Sequence, residues 1–288
     1  MADFRSVLNR MDTEAHICET CGAQHAPSTS PPAECIICAD ERQFVPKSGQ
    51  RWVTQGQVKK SGVMHNMWQK LEDGLYGITT SPKLGIGQRA FLIITPQGNF
   101  LWDCIAFLDD ATIDIVKALG GLKGIAISHP HFYTSNAQWS AAFGGVPVYL
   151  HWKDKQWVTF EHENIVYWSG ESLKLLEGLT VVKLGGHFAG ACILHSASAA
   201  NGKGAVLSGD IVQVAMNRQG VSVMRSFPNY LPLSASKAKQ ISDKISTLEY
   251  DRLYGAFFGL DIDTNAKSRV KQSLERYVHW SQDEDFDM

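Results

Sequence analysis

Two cysteine pairs, Cys18-Glu-Thr-Cys21 and Cys35-Ile-Ile-Cys38, stand 13 residues apart near the start of the chain. A CxxC turn sets two thiolates on one edge of a tetrahedron, and a second such turn closes it. The spacing therefore predicts a four-cysteine metal knot built from Cys18, Cys21, Cys35 and Cys38. Gly22, directly after Cys21, suits the positive-φ backbone of a tight knuckle. Disulfides are the competing arrangement, and they belong to oxidising compartments. The first residues show no apolar leader with a small-residue cleavage site, so the expectation is a cytoplasmic protein with metal-bound thiolates. A thioredoxin-type redox pair would need a βαβ context that this segment lacks. Zinc and iron both accept four sulfurs, so the ligand types leave the ion open. His16 and His25 are expected to be solvated, since four thiolates already fill the shell.

A second set of candidate ligands lies further on. Ser128-His129-Pro130-His131 follows one apolar run, Gly185-Gly186-His187 follows another, and Ser208-Gly209-Asp210 follows a third. Two histidines at i and i+2 on a loop can converge on one ion, and a distant third completes a facial set. A carboxylate can then bind the ion or orient water beside it. Each signal alone is weak, because a histidine at a strand end or an Asp after Ser-Gly is commonly structural. The expected content is one zinc or iron on His129, His131, His187 and Asp210.

These residues need elements to hold them. Apolar runs predict strands over residues 74–79, 124–128, 146–150, 179–184, 192–196, 205–207 and 253–257, with a hairpin of 89–95 and 98–104 around Pro96-Gln97-Gly98. Helical stretches are read over 111–119, 136–143, 234–248 and 266–278. Candidate ligands thus cluster just past the C-terminal ends of strands, where loops converge in sheet-based enzymes. Composition changes near residue 50, from a Cys/Pro/Ser/Thr-rich block with poor periodicity to alternating strands and helices. This predicts a small metal-binding cysteine segment at 1–50 and a larger domain at 51–288. The chain has 288 residues, 44% hydrophobic and 19% charged, with a net charge of -2. Such a chain can bury a core, and it lacks the clustered positive charge that nucleic-acid binding needs. No apolar run is long enough for a membrane span. Gly85-Ile-Gly87 precedes a strand rather than a helix, which argues against a phosphate-binding loop.

The cysteine pattern resembles rubredoxin-like zinc ribbons over about residues 16–45. The later motifs resemble the metallo-β-lactamase superfamily, the glyoxalase II-like hydrolases. Leu101-Trp102-Asp103 matches that family's first motif, an Asp closing a hairpin strand. His129-Pro130-His131-Phe132-Tyr133-Thr134 aligns with HxHxDH, Gly186-His187 with the later GH turn, and Gly209-Asp210 with the GD motif. The resemblance spans most of residues 70–260 and implies an α/β fold, an αββα metallo-β-lactamase sandwich, preceded by the small rubredoxin-like four-cysteine knot. Three positions depart from it. Tyr133 and Thr134 replace an Asp and a His, and Phe257 or Phe258 stands where a final His falls. All three belong to the second metal position, so the resemblance implies at most one ion.

The functional expectation is a single-metal hydrolase of a small ester, thioester or amide, acting on a small-molecule substrate, with Asp210 and Tyr133 as candidate catalytic groups. Tyr133 could hydrogen-bond an oxyanion or simply pack beside Phe132. Asp103 is expected to order the ligand loop. Two rival readings remain. One is an iron-dependent redox protein with electron transfer through the knot. The other is a non-catalytic binding protein with a vestigial site. Homo-oligomers are compatible with the chain. His195 is expected to be a satisfied core histidine. Cys104 and Cys192 are read as packing residues, Trp152 and Trp157 as surface cover, Met224–Tyr230 as a pocket wall, and the acidic end of the chain as solvated.

Overall fold

The computed structural model describes residues 4–282; the acidic end of the chain, Asp283 to Asp287, lies outside them. The chain divides into two compact units, one running to Leu150 and including Lys155–Trp168, the other holding His151–Asp154 and everything described from Ser169 onward.

The first unit is built on a seven-stranded sheet. Its strands follow the chain: His65–Glu72, Leu75–Ser81, Ala90–Ile93, Phe100–Trp102, Gly124–Ala126, Val148–His151 and Ile165–Trp168. Pairing is antiparallel through Phe100–Trp102, then parallel to Gly124–Ala126 and Val148–His151. The central strands Ala90–Ile93, Phe100–Trp102 and Gly124–Ala126 are buried at every residue. This is why they read as unbroken apolar runs, whereas the edge strand His65–Glu72 alternates weakly. The parallel steps need crossovers, which helices Asp110–Ala118 and Asn136–Ala142 supply. Asp109 starts the first of them by accepting the Thr112 amide at 2.7 Å.

Residues before the sheet form more regular structure than their composition suggests. A helix spans Phe4–Glu14, and Leu8, Met11 and Ala15 pack with Ala137, Ala141 and Phe160. Ile17–Cys18 pairs with Trp52–Val53. Helix Gln55–Ser61 opens with a capping box between Thr54 and Gln57. His16, expected to be solvated, is half-buried, and His25 is largely enclosed too. His16 Nε2 lies 3.2 Å from the Ser28 carbonyl, and His25 meets Trp52 edge-on at 5.0 Å. The His25 ring thus sits on Trp52, which itself packs against the cysteine cluster.

Gly85, which no phosphate loop claims, has a structural role. It backs onto Gly22 at φ +75, and a Cβ there would stand 2.7 Å from the Gly22 nitrogen and 2.9 Å from the Cys21 carbonyl carbon. Backbone cannot yield as a side chain can. Gly85→Ala therefore combines left-handed strain with overpacking and is expected to cost about 2–4 kcal/mol. Urea denaturation checks this; a loss below about 0.5 kcal/mol contradicts the tight seat.

The second unit carries a six-stranded sheet in the order Ser172–Leu176, Leu179–Lys183, Cys192–Ser196, Ala205–Gly209, Arg252–Gly255 and Asp261–Ile262. Its one parallel pair joins Ala205–Gly209 to Arg252–Gly255. Helices Ala235–Ile245 and Ala266–Trp280 pack on each other, and Ser234 caps the first through the Lys237 amide. The segment Met224–Tyr230 begins a hairpin rather than a plain loop, since Met224–Ser226 pairs with Leu231–Pro232. His195 is satisfied by the Glu249 carbonyl at 2.8 Å but is half-buried rather than core. Among the described residues, no helix is long and apolar enough to cross a membrane.

Candidate metal centres

The knot closes as its spacing predicts. Cys18, Cys21, Cys35 and Cys38 are each at most 2% exposed, and their sulfurs all lie within 4.8 Å of one another. Cys18 Sγ is 3.6 Å from Cys38 Sγ, and Cys21 Sγ is 3.6 Å from Cys35 Sγ. A disulfide would bring sulfurs to about 2.0 Å. Four sulfurs around an ion at about 2.3 Å stand about 3.8 Å apart. The spacing fits a shared ion, and every cysteine is free of disulfides. Hydrogen bonding between the sulfurs, with Cys18 foremost, holds Cys35 low and Cys21 high.

Local backbone explains the closure. The Gly22 amide donates to the Cys18 carbonyl at 2.8 Å, and the Cys18 amide to the Ala23 carbonyl at 3.0 Å, which bends the first knuckle. Gly22 sits at φ +81 inside that bend. Cys35 begins the short helix Ile36–Ala39, and its amide donates to Gln50 Oε1 at 2.7 Å. Trp52 and Trp157 pack against the knot, so Trp157 covers the cysteine cluster rather than a sheet. Trp152 is the exposed member of that expected pair, at 52%.

His129, His131, His187 and Asp210 form the second group, with one ligand atom from each within 4.8 Å of the others. All four residues are at most 7% exposed. Each is placed by a strand end. His129 and His131 follow Gly124–Ala126 in a short 3-10 turn over Pro130–Phe132. His187 lies in the loop after Leu179–Lys183, and Asp210 follows directly on Ala205–Gly209.

Hydrogen bonds to the rings select the nitrogens left for an ion. His187 Nδ1 lies 2.9 Å from the Met224 carbonyl, which can only accept. Nδ1 must therefore carry the proton, and Nε2 keeps its lone pair. His129 Nδ1 lies 2.9 Å from Ser128 Oγ, which fixes that ring in the same sense when Nδ1 donates. Nε2 of His129, Nε2 of His131 and Oδ1 of Asp210 are shielded from solvent. Burial pushes the Asp210 carboxyl up, partly offset by His187. Buried carboxylates ordinarily need a cation beside them. The donor set, its burial and the ring orientation all fit a metal ion.

Asp103 does what its position implies. Its Oδ1 accepts the Ser128 amide at 2.7 Å, one residue before His129. It holds φ +61 to do so, an uncommon conformation outside glycine. Tyr133 is 3% exposed, beside Thr134 at 2%. Phe227 lies 6.1 Å from the His187 ring, ring centre to ring centre.

One supporting contact had no sequence signal. His162 Nε2 donates to Asn136 Oδ1 at 2.9 Å, and Asn136 Nδ2 donates to the Tyr133 carbonyl at 2.9 Å. Burial pushes the His162 pKa down to about 4 from 6.5, against the opposing pull of Glu161. The folded chain thus prefers the neutral ring. Stability from this group is complete above pH 6.5 and falls, by up to about 3 kcal/mol, as the pH drops towards 4. Denaturation from pH 7 to 4 should show a smaller loss in His162→Asn than in the wild type; equal losses contradict the assignment.

No protein-family profile matches the chain. The uncharacterised protein YmaE of Bacillus subtilis (strain 168) is 45% identical over 263 residues, covering 91% of this chain and 95% of YmaE. Among solved structures, DIM-1 metallo-β-lactamase superposes with a TM-score of 0.56 at 15% identity, over 74% of this chain and 98% of DIM-1. FIM-1 of Pseudomonas aeruginosa, a metallo-β-lactamase solved in its mono-zinc form, gives 0.54 at 13%, over 74% and 96%. The metallo-β-lactamase of Pontibacter korlensis gives 0.52 at 11%, over 76% and 100%. At such identities the likeness concerns fold. The chain belongs to the family of YmaE; its mixed α/β fold is that of the metallo-β-lactamases, and it carries a four-cysteine cluster near its N-terminus.

Proposed function

We propose that the chain is a metal-dependent hydrolase of a small ester, thioester or amide, working with one ion on His129, His131, His187 and Asp210. The observation that carries this reading is the buried convergence of three imidazoles and one carboxylate at strand ends of this fold. The single-ion assignment rests on Tyr133, Thr134 and Phe257 or Phe258 standing where a second ion would need ligands. A metal there supplies a Lewis acid and lowers the pKa of bound water to about 7.

The chain's own groups do the rest. His187 is locked by the Met224 carbonyl and His129 by Ser128, so little reorganisation accompanies binding. Asp210 orients water or takes its proton at the carboxylate. Tyr133 is assigned to donate its hydroxyl to the developing oxyanion. Phe227, 6.1 Å from the His187 ring, is assigned to the wall of the substrate approach.

The test is turnover of a chromogenic aryl ester, an aryl thioester and an anilide by the purified chain. Hydrolysis of at least one should vanish on chelation and return with added zinc or iron(II). Turnover that survives chelation contradicts the proposal. Visible absorbance from an iron–thiolate knot would instead favour the redox reading, because zinc thiolates are colourless.

A further inference from the structure

The cysteine knot and the ligand turn His129–Thr134 touch through Gln24. Its backbone amide donates to the Thr134 carbonyl at 3.1 Å, and its side-chain amide donates to Gln138 Oε1 at 2.9 Å, in the first turn of helix Asn136–Ala142. Gln24 is 1% exposed and lies three residues past Cys21. On the same surface, a Cβ on Gly22 would stand 3.0 Å from Ala106 Cβ and 3.4 Å from Thr134 Cγ2.

The residue so gripped is strained. Thr134 holds φ +35, a genuine outlier for a β-branched side chain. Such a conformation is unfavourable and persists only where its surroundings over-determine it. Ser135 supplies one restraint, its hydroxyl reaching the Ile105 and Ala106 carbonyls at 3.0 and 2.9 Å. Asn136 holds the Tyr133 carbonyl beside it, Gln24 supplies a further restraint on Thr134 itself, and Gln24 is placed by the first knuckle, where the Cys18 and Ala23 backbones bond. A small segment of this kind folds tightly only with its ion bound.

We infer that the cysteine knot is a buttress for the second metal site: an ion on Cys18, Cys21, Cys35 and Cys38 sets, through Gln24, the order of the turn that presents His129 and His131. Gln24 and Thr134 are then positioning residues. By linkage the two ions bind cooperatively, each raising the affinity for the other. The inference rests on a metal at the second site for its affinity arm, but not for its backbone arm.

Two variants and two readouts test it. Cys35→Ser/Cys38→Ser opens the knot. Gln24→Pro keeps all four cysteines and removes the amide that serves Thr134. Hydrogen exchange is followed at the amides of Ser128, Phe132 and Tyr133, with strand Cys192–Ser196 as internal reference. Affinity for the second zinc is read by competition with a chromophoric chelator. Both variants should exchange at least about 10-fold faster in the turn, with the reference strand unchanged, and should bind the second zinc about 10- to 100-fold more weakly. If the cysteine variant fails to fold, Gln24→Pro decides. Exchange within about twofold of wild type in a folded Gln24→Pro chain overturns the buttress. A wild type that binds one zinc removes the second site instead, and the exchange result still judges the buttress alone.

Discussion

His131→Ala retains its secondary structure and loses hydrolysis by roughly 10³-fold or more, because a Lewis acid supplies several kcal/mol and each 1.36 kcal/mol or so is about tenfold in rate. The ring is 4% exposed, with Nε2 buried, so truncation opens the ligand shell without touching a sheet. His195→Gln is the matching control. That ring bonds the Glu249 carbonyl and lies outside the cluster of possible metal ligands. Steady-state rates on the best of the three substrates check both. A His131→Ala chain that keeps more than about a tenth of wild-type turnover contradicts the assigned role.

The second large effect falls on stability. Cys21→Ser removes one thiolate from a fully buried set and leaves three facing one another. A structural zinc on four thiolates contributes on the order of 10 kcal/mol to folding of its segment. Weakening it should cost the chain several kcal/mol, seen as a lower urea midpoint. The loss should centre on residues 16–53, where the knot, the strand pair Ile17–Cys18 with Trp52–Val53, and the Trp52 and Trp157 cover depend on it. Cys104→Ser is the contrast: Cys104 is equally buried but outside the knot, so its replacement should leave the metal content intact. A Cys21→Ser midpoint equal to wild type would contradict a metal-held segment.

Of the strands that carry ligands, Gly124–Ala126 and Ala205–Gly209 were legible because every residue is buried, and Leu179–Lys183 because its residues alternate between buried and half-buried. Cys192–Ser196 lies where its apolar run places it, and helices Asn136–Ala142 and Ala266–Trp280 differ from expectation only at their ends. Elements at edges were harder to read. His65–Glu72, Ile165–Trp168 and Ser172–Leu176 alternate between half-buried and exposed residues, so hydropathy marks them weakly. Helix Phe4–Glu14 was hidden by the Pro- and Ser-rich stretch that follows, although Leu8, Met11 and Ala15 fall at helical spacing. Thr54 and Gln57 did carry a signal, the S/T-x-x-E/Q capping box.

At the candidate sites, residue type and spacing announced the ligands, since few other arrangements gather thiols and imidazoles so closely. The supports were silent. Gln24 meets Thr134 and Gln138 across more than 100 residues, and His162 reaches Asn136 across 26. Such contacts are made by tertiary packing, which no local pattern encodes. The glycine at 85 was read only as no part of a phosphate-binding loop, and the approach of Gly22 shows why no side chain fits there.

The proposed mechanism requires two separate side-chain groups that each hold one ion. Elemental analysis of the purified wild type beside His129→Ala/His131→Ala tests it most directly. Two metals per chain should fall to one, with the remaining ion on the cysteines. An unchanged count would contradict it and leave the knot as the sole metal centre.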